Sequence, residues 1–217
     1  MPLPNLPSET WVKDYEAGFI HVDVKYLPQM PDESERKYLF AAIDRATRWV
    51  FFEVRDNKDA ANAVEFVEAL RAAVPFQIRT ILNDNGKEFT DRICATGERN
   101  PTGKHPLDQL CAKEGIDHRL IRLFMPKTNE MVERFNGRIS QILKTNRFTS
   151  SHELSDALGR YRNVYNHHVA QRALNHKKPQ GMMKDWYQRK PGIFRQNPTT
   201  VPGLDTPKAP EDRSCPL

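Results

Sequence analysis

The 217-residue chain is 38% hydrophobic and 28% charged, enough apolar content for one ordinary core and too even a mixture for a low-complexity or disordered chain. No apolar run approaches the ~18 residues of a membrane-spanning helix, and the start, MPLPNLPSETWVKDYEAG, has no basic patch leading into an apolar stretch. The net charge is +5 with a pI near 9.1, which favours an anionic partner.

In chain order, residues 1–17 read as a proline-containing lead-in. Gly18–Leu27 alternates apolar and polar residues and predicts a strand. Tyr38–Asp44 and Trp49–Val54 predict two more, able to form a meander with the first. Lys58–Ala73 places Ala63, Phe66, Val67 and Leu70 at helical spacing. Gln77–Leu82 predicts a fourth strand ending in NDNG, and Ile93–Pro106 a loop. Leu107–Glu114 predicts a short helix stopped at Gly115, and His118–Phe124 a fifth strand. Glu130–Lys144 carries an apolar stripe of Val132, Phe135, Ile139, Ile142 and Leu143, and Ser151–Tyr165 is a second amphipathic helix. Lys190–Leu217 has six prolines in 28 residues and is expected to be mostly irregular. Strands first, then helices, suggest an α/β (α+β) fold with a mixed sheet and helices packed on it.

The basic charge is concentrated late in the chain. Arg119–Lys178 holds 12 lysines and arginines against four acids, which fits a phosphate-tracking face, although a solvated helical surface has the same composition. Cys94, Cys111 and Cys215 are far apart and odd in number, so they suit a reducing, cytoplasmic setting better than a disulfide framework. The seven histidines are expected to be surface or core residues, not metal ligands.

Three acids stand out. Asp23 sits between Val22 and Val24, so on a strand it points away from their face. Asp84 follows a strand in N-D-N-G. Such sequences also make tight turns; the calcium-loop pattern fails because Ile81 stands where it needs Asp. Glu133 lies in the first turns of its helix, where an acid also complements the helix dipole. Asn136, Gly137 and Ser140 share its side.

The set HVDVKYLP, NDNGKEF and PKTNEMVERFNGRI, in that order, resembles the DDE catalytic core of retroviral integrases and insertion-sequence transposases. The matching residues are Asp23; Asp84-Asn85-Gly86 with Glu88-Phe89; and Val132-Glu133-Arg134-Phe135-Asn136. Tyr165, Asn166, Arg172, Leu174 and Pro179 in YNHH…RALNHKKP are similar to the tail of the insertion-sequence branch. The resemblance covers residues 18–180 and implies an RNase H-like fold, a five-stranded mixed sheet flanked by helices, with 181–217 a Pro-rich and mostly irregular tail. It implies a polynucleotidyl transferase for DNA integration or transposition, in which Asp23, Asp84 and Glu133 are catalytic and hold two Mg2+ or Mn2+ ions. Hard oxygen ligands favour those metals over zinc. The partners implied are double-stranded DNA, as element ends and target, and further copies of the chain, with no membrane. Lys127, Arg134, Asn136, Arg138 and Lys144 are the residues expected to contact DNA.

The chain departs from the family pattern in three places. Glu130 stands where members usually carry glycine three residues before the catalytic Glu, Lys127 replaces a common glutamine, and 49 residues separate Asp84 from Glu133, the excess assigned to the Ile93–Pro106 loop. The 22 residues before Asp23 are too few for the usual helix-turn-helix, so a partial enzyme is expected, or one whose end-reading domain lies on another chain. Two alternatives stay open: a non-catalytic relic that only binds nucleic acid, and an RNase H-like nuclease that cuts without joining.

Overall fold

The computed structural model describes residues 15–31, 33–94, 97–98, 100–121 and 130–200. Its main sheet has five strands: β1 (Phe19–Tyr26), β2 (Tyr38–Asp44), β3 (Val50–Arg55), β4 (Thr80–Asn83) and β7 (Asp117–Leu120), in the order β3-β2-β1-β4-β7. β1, β2 and β3 form an antiparallel meander, while β4 joins β1 in parallel and β7 joins β4 in parallel. This is the mixed five-stranded sheet that the sequence implied. The meander strands fall within one residue of the expected bounds. β4 is shorter than expected, and of the expected strand His118–Phe124, residues 122–124 lie outside the described residues.

The parallel connections require crossovers, and helices supply them. Helix α1 (Ala60–Ala73) starts at Asp59, whose side chain accepts the Asn62 N–H, an N-cap that satisfies one of the orphan donors of the first turn. Its stripe Ala63, Phe66, Val67 and Leu70 is fully buried. Helix α2 (Pro106–Lys113) follows His105, whose Nδ1 accepts the Leu107 N–H at 3.2 Å while Nε2 lies 3.2 Å from the Lys87 carbonyl. The ring therefore carries its proton on Nε2 and caps a helix. Between β4 and α2 the expected plain loop contains a two-stranded antiparallel ribbon, β5 (Ile93–Cys94) with β6 (Gly97–Glu98).

The sheet is covered on both faces. On one, Ile20, Val22, Phe40 and Phe51 pack under α1 and α2. On the other, Leu39, Ala41, Ile43, Val50 and Phe52 pack under α3 (Glu130–Thr145) and α4 (Ser151–His167). Asn166 fastens α4 to the edge of the sheet. Its Nδ2 donates to the Val50 carbonyl at 2.8 Å and its Oδ1 accepts the Val50 N–H at 2.9 Å, so a side-chain amide replaces the missing neighbour of edge strand β3.

One expectation needs correction. The segment from residue 181 is not irregular throughout: α5 (Pro179–Arg189) opens with a proline at its first position, and Met183 and Trp186 enter the α1 and α2 core. Six prolines later in the tail masked this helix, whose own stretch reads MMKDWYQR with apolar residues on one side. Beyond it the chain makes short 3-10 turns at 191–193 and 198–200, and residues 201–217 lie outside the described region. Among the described residues no helix is long and apolar enough to cross a membrane.

Candidate functional site

Strand geometry places the first two acids together. Asp23 is opposite Ala41 in the β1–β2 register, and Ala41 belongs to the core beneath α3, so Asp23 points to the α3 side. The last parallel pair between β1 and β4 is His21 with Leu82. Two residues further along each chain come Asp23 and, just past the end of β4, Asp84, near enough for the charge of Asp84 to act on Asp23.

The D-N-G-x-E-F motif has a structural reason at each position. Asp84 Oδ1 accepts the Gly86 N–H at 3.0 Å, a local turn that ends β4 and fixes the carboxylate. Asn85 Nδ2 donates to the Ile121 carbonyl at 3.0 Å, tying this turn to the end of β7. A Cβ at Gly86 would lie 2.8 Å from the Glu88 carboxyl. Glu88 is buried, with Lys58 Nζ 3.5 Å from its carboxylate, and Phe89 is fully buried against Phe40. Much of this motif therefore builds the turn that presents Asp84.

Glu133 reaches the same end of the sheet from α3 and is exposed. Three residues on, Asn136 Nδ2 donates to Asp23 Oδ2 at 2.5 Å. Burial pushes the Asp23 carboxyl up to about 6, and the negative charge of Asp84 and, less strongly, of Glu133 adds to the rise against the hydrogen bonds from the Val24 N–H and Asn136. The three acids thus act on one another. Among the described residues, however, no group of three or more His, Cys, Asp or Glu side chains is close enough to hold a metal ion; the three are electrostatic neighbours without forming a closed ligand set. Their donor chemistry suits a hard divalent cation, and Asn136 Oδ1, buried beside Asp23 with no hydrogen-bond partner, is a further hard acceptor at the same place.

The expected DNA contacts divide. At 100° per residue, Glu133, Asn136, Gly137, Ser140 and Lys144 leave one flank of α3. Arg134 and Arg138 leave the opposite flank and line a cavity with the β2–β3 turn. Asn136 holds Asp23 and so is tied up in the carboxylate group. Lys127 and the side chain of Glu130 lie outside the described residues. Several histidines serve the scaffold: besides His105, His118 bridges Asp108 at 2.5 Å and Asn83 Oδ1 at 3.1 Å, joining α2, β7 and β4. Cys111 is buried and free, its thiol pushed up to about 12 by burial.

Comparison with known proteins places the fold. A family model described as Integrase core domain matches residues 16–126, just over half of the chain, and a second model of the same description matches residues 114–179. Over 98 residues, the chain is 24% identical to the uncharacterized protein K02A2.6 of Caenorhabditis elegans, which covers 45% of this chain but only 7% of that protein. Among solved structures, a chain of the simian T-cell lymphotropic virus intasome in complex with PP2A regulatory subunit B56 gamma superposes with a TM-score of 0.58 at 16% identity, covering 78% of this chain and 55% of the other. The catalytic core domain of HTLV-2 integrase in complex with magnesium, in its dimeric form, gives 0.57 at 14% identity, covering 78% and 99%. The BIV integrase catalytic core domain gives 0.57 at 15%, covering 80% and 97%. At such identities the structures speak for the fold, and the fold agrees with the family model that covers half of the sequence: the chain belongs to the integrase core domain family, an RNase H-like domain of the DDE integrases and transposases.

Proposed function

We propose that the chain is the catalytic core of a polynucleotidyl transferase for DNA integration or transposition, working on double-stranded DNA as an oligomer, with Asp23, Asp84 and Glu133 as its catalytic acids. The observation that carries this reading is the bond from Asn136 of α3 to Asp23, which brings Glu133's helix to the strand acids; burial, and then the charges of Asp84 and Glu133, push the Asp23 carboxyl up to about 6. Like-charged acids held together against their own repulsion are costly in a scaffold and useful in a cation site.

Asp23, Asp84 and Glu133 would hold Mg2+ or Mn2+, which when bound supplies charge neutralisation at the attacking and leaving oxygens of an in-line displacement. The chain's own residues set the geometry. The Asp84–Gly86 turn and the Asn136–Asp23 hydrogen bond orient two carboxylates before substrate arrives. In the cutting step a water oxygen bonds to phosphorus, the bond to the 3′ oxygen breaks, and that oxygen leaves with the electron pair and takes a proton. In the joining step the new 3′ hydroxyl attacks a target phosphodiester in the same way, so the number of phosphodiester bonds is conserved.

The exposure of Glu133 and the open ligand set favour a second reading, a nucleic-acid-binding relic of the same fold. One labelled duplex, incubated with the protein and Mg2+ or Mn2+ and resolved for nicked and joined products, separates the possibilities. Joined products are expected. Nicking alone would indicate a nuclease, and no product with either metal would support the relic.

A further inference from the structure

A cavity of about 280 Å³ opens on the flank of α3 away from the carboxylates. Its walls come from β1 (His21), the end of β2 and the turn after it (Ile43, Arg45, Arg48), α3 and α4 (Arg134, Arg138, Tyr165) and the segment before α5 (Gln171, Arg172). Five arginines line it, and no lining residue is acidic. Packing like charges around one concavity is unfavourable in the absence of a counter-ion.

Arg48 is the centre of the argument. It has φ 60, the left-handed region that costs a residue with a Cβ about 1–2 kcal/mol and that glycine would occupy freely. The turn itself is secured by other groups: the Arg48 N–H donates to the Asp44 carbonyl at 2.9 Å, and the buried Asp44 carboxylate accepts the N–H groups of Gly18 and Thr47 and the Thr47 hydroxyl. An arginine is therefore kept where the backbone alone favours glycine. Its Nε is buried with no hydrogen-bond partner, and one of its terminal nitrogens lies on Met131 Sδ, a weak acceptor. Burial, with the like charges of Arg45 and Arg134, makes its guanidinium easier to deprotonate, partly opposed by Asp44 and Tyr165. Two of its neighbours are met by rings and an amide. Arg45 stacks on Tyr15 at 3.8 Å, and Arg138 lies over Tyr165 at 5.5 Å and reaches Gln171 at 3.5 Å. Among the described residues none of Arg45, Arg48, Arg138 and Arg172 forms a salt bridge.

We propose that this cavity is a binding site for a phosphate-bearing anion, gripped by Arg48, Arg138 and Arg172 and separate from the carboxylate group across α3. Guanidinium forks match phosphate oxygens in pairs. The phosphate comes either from a DNA backbone that passes over this flank or from a free polyphosphate ligand; both present the same oxygens.

The test is calorimetric titration of the full chain with inorganic pyrophosphate in EDTA, so that no metal can recruit the anion to the carboxylates. Saturable binding near one per chain is expected. It should weaken at least about tenfold in Arg48→Gln and in the exposed Arg138→Gln, a loss of about 1.4 kcal/mol, and persist in Asp23→Asn. Melting curves check that the variants fold, and Arg138→Gln decides the matter if Arg48→Gln does not. A second arm measures duplex affinity with rising pyrophosphate: competition assigns the site to the DNA backbone, and unchanged affinity assigns it to a free ligand. Absence of saturable binding to wild type, or equal binding by both arginine variants, would overturn the proposal.

Discussion

The two flanks of α3 carry opposite charge problems. On one, Asp23, Asp84 and Glu133 bring negative charge together and Asp23 is raised to about 6; on the other, five arginines share a cavity without an acidic wall. Between them run Val132, Phe135 and Ile139, buried against the sheet. A single helix, anchored by one apolar stripe, thus holds a cation-seeking group and an anion-seeking group about a helix diameter (~10 Å) apart. The flanks also differ in how they are built. The acids stand within one strand, just past the end of another and on one helix, whereas the arginines are assembled from a turn, α3 and the segment before α5.

The largest expected effect separates the flanks by activity. Asp23→Asn or Glu133→Gln should lower metal-dependent strand cutting at least about a hundredfold, because each removes a group that acts on the charged transition state, while pyrophosphate binding in EDTA stays unchanged. Glu130→Gly should leave cutting unchanged or raise it, since Glu133 and not Glu130 is assigned the catalytic role; loss of cutting in that variant alone would reverse the assignment.

Next in size is a substitution in the scaffold beneath both flanks. Asn166→Ala leaves the Val50 N–H and carbonyl without their partner, and should cost roughly 2–6 kcal/mol at about 1–3 kcal/mol per orphaned buried group. Denaturant unfolding would show it, and both activities should fall together with the folded fraction. Selective loss of one would mean that α4 supports only that flank.

The pH dependence sharpens the comparison further. The folded Asp23 carboxyl titrates near 6, above the unfolded value near 3.9, so its contribution favours folding below pH 4 and is lost as pH rises through 6. Asp23→Asn removes that loss, and should therefore melt at a higher temperature than wild type at pH 7.5, with the gap closing by pH 4. A gap that is constant with pH would mean that Asp23 is neither buried nor held among like charges in the fold. The smallest effect is expected near the C-terminal end of the carboxylate flank, where Lys144→Ala should reduce the slope of log affinity against log salt for duplex DNA by ~0.9 if that lysine neutralises one phosphate.

How legible each part was in the sequence follows from how it is built. β2 was readable to the residue because it is a short apolar run that is buried almost throughout, and α1 because its buried stripe has helical period. Asp23, Asp84 and Glu133 stood out because a motif surrounds each, and part of that motif is scaffold, as Gly86, Glu88 and Phe89 show. Helix α5 was lost in the proline count of the tail, although the prolines lie at its start and beyond its end. The arginine cavity had no linear signature. Arg45, Arg48, Arg134, Arg138 and Arg172 are spread over some 130 residues, and only the β2–β3 turn packing beside α3 brings them together. The surplus of positive charge over Arg119–Lys178 pointed to phosphate, but Arg48 lay outside the basic stretch and gave no sign of its left-handed backbone.

The central claim, that three acids on one flank make a cation site, is tested most directly by titrating Mn2+ into wild type, Asp23→Asn and Glu133→Gln and following bound metal by electron paramagnetic resonance at pH 7.5. The account predicts saturable binding to wild type that is weakened at least about tenfold in both variants, with wild-type affinity falling as pH drops through 6 and Asp23 takes up its proton. Equal Mn2+ binding by wild type and Glu133→Gln would contradict it.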